Sequence, residues 1–136
     1  METWNFTKKI EDMTADELKA RVEQGYNAVM PTIQVIPYVG TKSAIVKYIY
    51  AELTALCPMT GIQDLYTLTI EFNPDSFVPE LKSLKFYLLA YKDLPISHEH
   101  LASKIEKEFC EVVKPANISL NLDTAIRGGI KTIIDI

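Results

Sequence analysis

YTLTIEFNPDSFVPELKSLKFYLLAYKD, residues 66–93, changes its hydrophobic period partway along, and that change decides the fold. Tyr66, Leu68, Ile70 and Phe72 alternate with Thr67, Thr69 and Glu71, the two-residue repeat of a half-buried strand. From Pro79 onward the repeat is helical and places Leu81, Leu84, Leu88 and Tyr91 on one face. Upstream, SAIVKYIYAEL (43–53) alternates again, with Ala44, Val46, Tyr48 and Tyr50 against Ile45, Lys47 and Ile49. Downstream, Ser97 is a natural N-cap for HEHLASKIEKEFCEVV, whose Leu101, Ile105, Phe109 and Val112 form a stripe and whose Pro115 lies just past the end. Period two then returns in ISLNLD (118–123) and GIKTIIDI (129–136), with RGG (127–129) at the turn between them. The order ββααββ predicts an α+β domain in which two helices cover one face of an antiparallel sheet.

Ahead of this unit, TADELKARVEQGY opens on a capping box, Thr14 to Glu17, and predicts a short helix through Leu18, Val22 and Tyr26 that Gly25 weakens. Pro31 and Pro37 make MPTIQVIPYVG an edge strand or an extended lead-in. Residues 1–136 read as one domain, with residues 1–40 an N-terminal extension of no assigned role. Four strands with two open edges and one partly uncovered face predict a homo-oligomer.

Apolar residues make up 48% of the chain and charged residues 24%, a globular balance. No apolar run is long enough to span a membrane and the opening residues carry no leader pattern, so a cytoplasmic location and no membrane partner are expected. A net charge of -4 argues against direct nucleic-acid binding and for a small substrate. The two cysteines, Cys57 and Cys110, form neither a disulfide framework nor a metal-ligand set, and no metal is expected.

Cys57 reads either as a small buried hydrophobe or as a nucleophile; it follows a strand and precedes the turn sequence PMTG, which places it at a sheet rim. Asp64 is the carboxylate a turn would fold back towards the thiol, unless it serves only an Asx turn. His98 and Glu99 open a helix at a loop. There an ionised Glu can accept paired N–H donors from a guanine-like ring, or merely complement the helix dipole. Lys82 and Lys85, three residues apart, form either a solvated basic face or a phosphate site, and Arg127 adds a planar donor beside two glycines. No phosphate-binding glycine loop is present.

These motifs together resemble the QueF-type nitrile reductases, the NADPH-dependent 7-cyano-7-deazaguanine reductases of the queuosine pathway. LCPMTGIQD (56–64) resembles their nucleophile segment, ELKSLKFYL (80–88) their signature helix, His98-Glu99 their substrate-binding pair and RGGI (127–130) their last hairpin motif. The segments align without a gap from Cys57 to Glu99, and weaker similarity runs on to Ile130. The resemblance departs at IQ before Asp64, where Gln-Pro is usual, and at Ser97, which stands where an aromatic residue is common.

The resemblance implies a tunnelling fold, in which ββααββ subunits form an oligomeric barrel, here a decamer of two pentameric rings with sites between neighbouring subunits. It implies that Cys57 attacks the nitrile carbon to give a thioimide, that Asp64 protonates the nitrogen and that His98 assists. Glu99 is then the substrate-binding residue, and Glu80, Lys82, Ser83, Lys85 and Arg127 hold NADPH. Two other readings of the same residues are a QueF-like amidinotransferase acting on nitrile-bearing tRNA in archaeosine formation and a non-catalytic purine- or pterin-binding tunnelling-fold protein. The ELKSLK helix, associated with NADPH use, and the acidic balance favour the reductase.

Overall fold

The alternating segments pair into one antiparallel sheet in a computed structural model that describes residues 4–136. In chain order the elements are α1 (Ala15–Tyr26), β1 (Val35–Pro37), β2 (Val46–Leu56), β3 (Gln63–Asn73), β4 (Phe77–Pro79), α2 (Leu81–Leu89), α3 (His98–Val113), β5 (Asn117–Thr124) and β6 (Ile133–Asp135). The main sheet has the order β2-β3-β5-β6, and β1 and β4 form a separate two-stranded ribbon, Val35 opposite Pro79.

On β3 the alternation buries Asp64, Tyr66, Leu68, Ile70 and Phe72 on a single face. Strand β2 runs three residues past the expected end because its register slips between Tyr50 and Leu53. That bulge switches the inward row from Val46, Tyr48 and Tyr50 to Leu53 and Ala55, so the parity reaching the end of the strand is the parity of Cys57.

Helices α2 and α3 cover this face. Leu101, Ala102, Ile105, Phe109 and Val113 of α3 are buried, and the Phe109 ring meets Phe72 edge-on with centroids 5.2 Å apart. The expected apolar faces shift slightly: Tyr87 is buried where Leu81 was expected, and Val113 lies deeper than Val112. Leu81 occupies the first turn, before α2 has settled onto the sheet. The capping signals fold as read. Thr14 Oγ1 accepts from Glu17 N at 3.1 Å, and Ser97 Oγ accepts from His100 N at 3.4 Å. Gly25 has a reason to be in α1, since a Cβ there would lie 2.4 Å from the Pro95 carbonyl oxygen. The helix therefore packs directly on the segment that leads into α3.

Candidate active site

The site is assembled at the end of the sheet where β2 turns into β3. Cys57 N donates to Ile62 O at 2.8 Å and Gly61 N donates back to Cys57 O at 2.9 Å, closing the loop tightly. Gly61 holds φ +73°, and a Cβ added there would come within 3.1 Å of the Phe6 ring. Leu56, the last residue of β2, bonds through its N–H to Leu94 O and through its carbonyl to Ile96 N, both at 3.0 Å. This short parallel bridge fixes Leu94–Ile96 beside the strand and delivers Ser97 and His98 to the half-buried thiol of Cys57.

Asp64 lies opposite Ala55 in the register, facing the core rather than solvent. Arg127 comes from the turn after β5: its Nε is 2.9 Å from Asp64 Oδ1, and it also donates to the Gln63 carbonyl. No hydrogen-bond donor among the described residues is aligned on Oδ1, so the Arg127 contact is a charge pairing and leaves that lone pair for a donor entering the site. His98 Nδ1 lies 2.8 Å from the Tyr66 hydroxyl and 4.0 Å from Asp64 Oδ2. Burial, reinforced by the negative charge of Asp64, pushes the Tyr66 phenol well above its ordinary pKa, so it keeps its proton. Cys57, Pro58, Met59, Asp64, Ser97, His98 and Arg127 line a cleft of about 260 Å³.

The sequence-derived site residues therefore separate into two groups. Cys57, Asp64, His98 and Arg127 converge on the cleft. Glu99 stands beside it, exposed on the first turn of α3. Glu80, Lys82, Ser83 and Lys85 lie elsewhere, at the start of α2. Glu80 caps that helix by accepting from Lys82 N at 2.6 Å and Ser83 N at 2.9 Å, and Ser83 Oγ joins the Glu80 carbonyl to the Gln34 N–H, each at 2.8 Å. The caps hold Glu80's carboxyl below its ordinary pKa through those backbone donors. Lys82 and Lys85 are exposed. Since β3 runs its full length between Asp64 and the approach to α2, its ends are about 30 Å apart at ~3.3 Å per residue.

Two features carry no sequence flag. Tyr66 looks like one more core residue, although period two places it on the same face as Asp64. The N-terminal segment gives no signal, yet Trp4 Nε1 donates to the Pro58 carbonyl at 3.0 Å and Arg21 reaches that oxygen at 3.4 Å. The Arg21 guanidinium also stacks 5.3 Å from the Trp4 ring centre. The unassigned extension is thus packed against the Cys57 loop.

Residues 63–136, more than half of the chain, match the family model described as QueF-like protein. The chain belongs to the QueF-like family. Its relatives include the NADPH-dependent 7-cyano-7-deazaguanine reductase of Elusimicrobium minutum, 35% identical over 85% of this chain and 88% of that one. That of Caldicellulosiruptor bescii is 34% identical over 79% of this chain and 84% of that one. The first of these alignments is longer than the stretch after Gly40 and so takes in part of the N-terminal extension. Among solved structures, the archaeosine synthase QueF-Like in its apo form superposes with a TM-score of 0.61 at 18% identity, covering 71% of this chain and 93% of that one. At that identity the likeness speaks for the fold alone; the α+β order agrees with the sequence pattern, and the QueF-like tunnelling fold is the one the family resemblance implies.

Proposed function

We propose that this chain reduces the nitrile of 7-cyano-7-deazaguanine to the 7-aminomethyl compound with NADPH, in the queuosine pathway of tRNA modification. The observation that carries the reading is the placement of the Cys57 thiol in one cleft with the buried Asp64 carboxylate. Cys57 Sγ adds to the nitrile carbon; the S–C bond forms as one C≡N π bond breaks, and its electron pair goes to nitrogen. The Asp64 carboxylate takes the thiol proton as the S–C bond forms and passes it to that nitrogen, so the thioimide forms with no net change in protons. Burial of Asp64 under Arg127 keeps bulk water from competing for this transfer. His98 holds a second exchangeable proton at the cleft wall, and Glu99 accepts from the N–H edge of the deazaguanine ring.

The residues at the start of α2 fit an anionic dinucleotide. Lys82 and Lys85 project from neighbouring turns with their ammonium groups in solvent, and Lys85 makes no ion pair among the described residues. Glu80, Lys82, Ser83, Lys85 and Arg127 would hold NADPH, which when bound supplies hydride, two equivalents per nitrile. The distance between the start of α2, which carries Glu80, Lys82, Ser83 and Lys85, and the Cys57 cleft within one subunit supports a site completed by a neighbouring subunit. The open β2 and β6 edges and the exposed Ile45, Ile49 and Ile133 support pairing with other subunits, and a decamer of two rings is the assembly that the family resemblance implies. No helix of the described residues is long and apolar enough to cross a membrane.

The test is NADPH oxidation by purified protein with and without 7-cyano-7-deazaguanine. Two NADPH consumed per aminomethyl product is the expected result; an intact oligomer that oxidises none would sink the reading.

A further inference from the structure

Tyr66 contacts the cleft from behind and has no part in the chemistry above. We propose that Tyr66 is a positioning residue whose hydroxyl, donating to Nδ1 of His98, fixes the imidazole as the Nε2–H tautomer and keeps Nδ1 from pairing with Asp64.

Tyr66 is buried on β3 two residues beyond Asp64, on the same face of the strand. Its oxygen is 2.8 Å from His98 Nδ1, whereas the competing Asp64 Oδ2 is 4.0 Å away. The two rings meet edge-on, 75° apart with centroids at 5.5 Å, so the imidazole is held in orientation as well as in tautomer. The direction of the hydrogen bond follows from the partners within reach. His98 Nδ1 is the one acceptor bonded to the buried Tyr66 hydroxyl among the described residues, so a phenol that keeps its proton satisfies it by donating there; with Nδ1 accepting, the ring proton of a neutral imidazole is on Nε2. His98 is then a donor at Nε2, and Asp64 stays with Arg127 and the substrate. The groups facing His98 are Tyr66 and Asp64 from β3, Cys57 from the end of β2, Arg127 from the turn after β5, and Ser97 and Glu99 from its own helix end. Removing the hydroxyl leaves Asp64, an acceptor, as the nearest partner for Nδ1, which favours the Nδ1–H form.

The catalytic consequence rests on the nitrile-reductase reading; the tautomer does not. Protein labelled with ¹⁵N-histidine carries two imidazoles, His98 and His100, and His100→Gln assigns the signals. Above the histidine titration, the His98 ¹⁵N shifts are expected to report an unprotonated Nδ1 and a protonated Nε2 in the wild type. In Tyr66→Phe that preference is lost. The same variant is expected to lower kcat about tenfold with KM within about twofold. A wild-type spectrum showing Nδ1–H overturns the proposal, whether or not the variant folds. So does a folded Tyr66→Phe protein with the wild-type tautomer. If the wild type consumes no NADPH, the reductase reading fails, and the ¹⁵N shifts still decide what Tyr66 does.

Discussion

Arg127 Nε sits 2.9 Å from Oδ1 of Asp64 and joins a side chain that is 44% exposed to one that is 3% exposed. The asymmetry separates stability from activity. A pair whose cationic side chain is nearly half exposed is screened, and truncating Arg127 opens Asp64 to water, so Arg127→Ala is expected to cost only about 1 kcal/mol in urea unfolding. Turnover is expected to fall more than tenfold, because the acid loses the charge that orients it. Arg127→Lys restores the charge without the fork and is expected to recover part of the rate. Equal losses in Ala and Lys variants, both traceable to unfolding, would reject a role at the cleft.

The two cysteines are expected to differ in reactivity. Burial, with the nearby Glu106 charge, pushes the Cys110 thiol up to about 11. At pH 8 roughly 0.1% of such a thiol is ionised, which makes it a poor nucleophile. Iodoacetamide at pH 8 should therefore mark Cys57, in the cleft, and mass spectrometry of the digest reads the site. Cys110 should gain label only as pH rises towards 11. The folded chain holds the Cys110 proton more tightly than the unfolded chain, so its contribution to stability is present below pH 9 and lost as pH climbs to about 11. Label appearing first on Cys110 would contradict this.

Much of the site was legible because both of its carriers are periodic. The alternation read from Tyr66 to Phe72 extends back to Asp64, and the Ser97 cap fixes where α3 begins. What sequence could not supply was tertiary. The bulge after Tyr50 changes which side of β2 faces inward, and no local pattern marks it. The Leu56 bridge to Leu94 and Ile96 joins residues about 40 apart, and the Trp4 bond to Pro58 spans 54. Glu80 and Ser83 were legible as part of a signature helix, yet their structural work is capping, a role that propensity alone also explains.

Gly61 is expected to be intolerant for two separable reasons. Its φ of +73° strains any L side chain, and Phe6 crowds the space a Cβ would take. Gly61→Ala is expected to lose about 1–2 kcal/mol and to slow Cys57 alkylation by displacing the loop. Adding Phe6→Ala removes the crowding while the backbone strain remains, so the double variant should recover only part of the alkylation rate. Full recovery would show that the positive φ is cheap there.

Buried charge away from the cleft makes the last prediction. Lys104 is 2% exposed on α3, and its Nζ donates to the carbonyls of Tyr26 and Ala28 at 2.6 and 2.8 Å and to Glu108 Oε2 at 3.0 Å. Tyr87 and Tyr91 donate to the other Glu108 oxygen at 2.6 and 3.2 Å, and burial keeps both phenols protonated well above ordinary conditions. One ammonium thus ties the end of α1 to α3, and one carboxylate ties α3 to α2. Lys104→Met keeps the stem but strands two carbonyls and a carboxylate, and is expected to cost about 3–5 kcal/mol in chemical unfolding. Glu108→Gln keeps acceptors for both tyrosines and should cost less. In the double variant the neutral amide no longer needs an ammonium, so the two losses should fall short of additive by more than about 0.5 kcal/mol. Additive losses would mean that Lys104 acts through the α1 carbonyls alone.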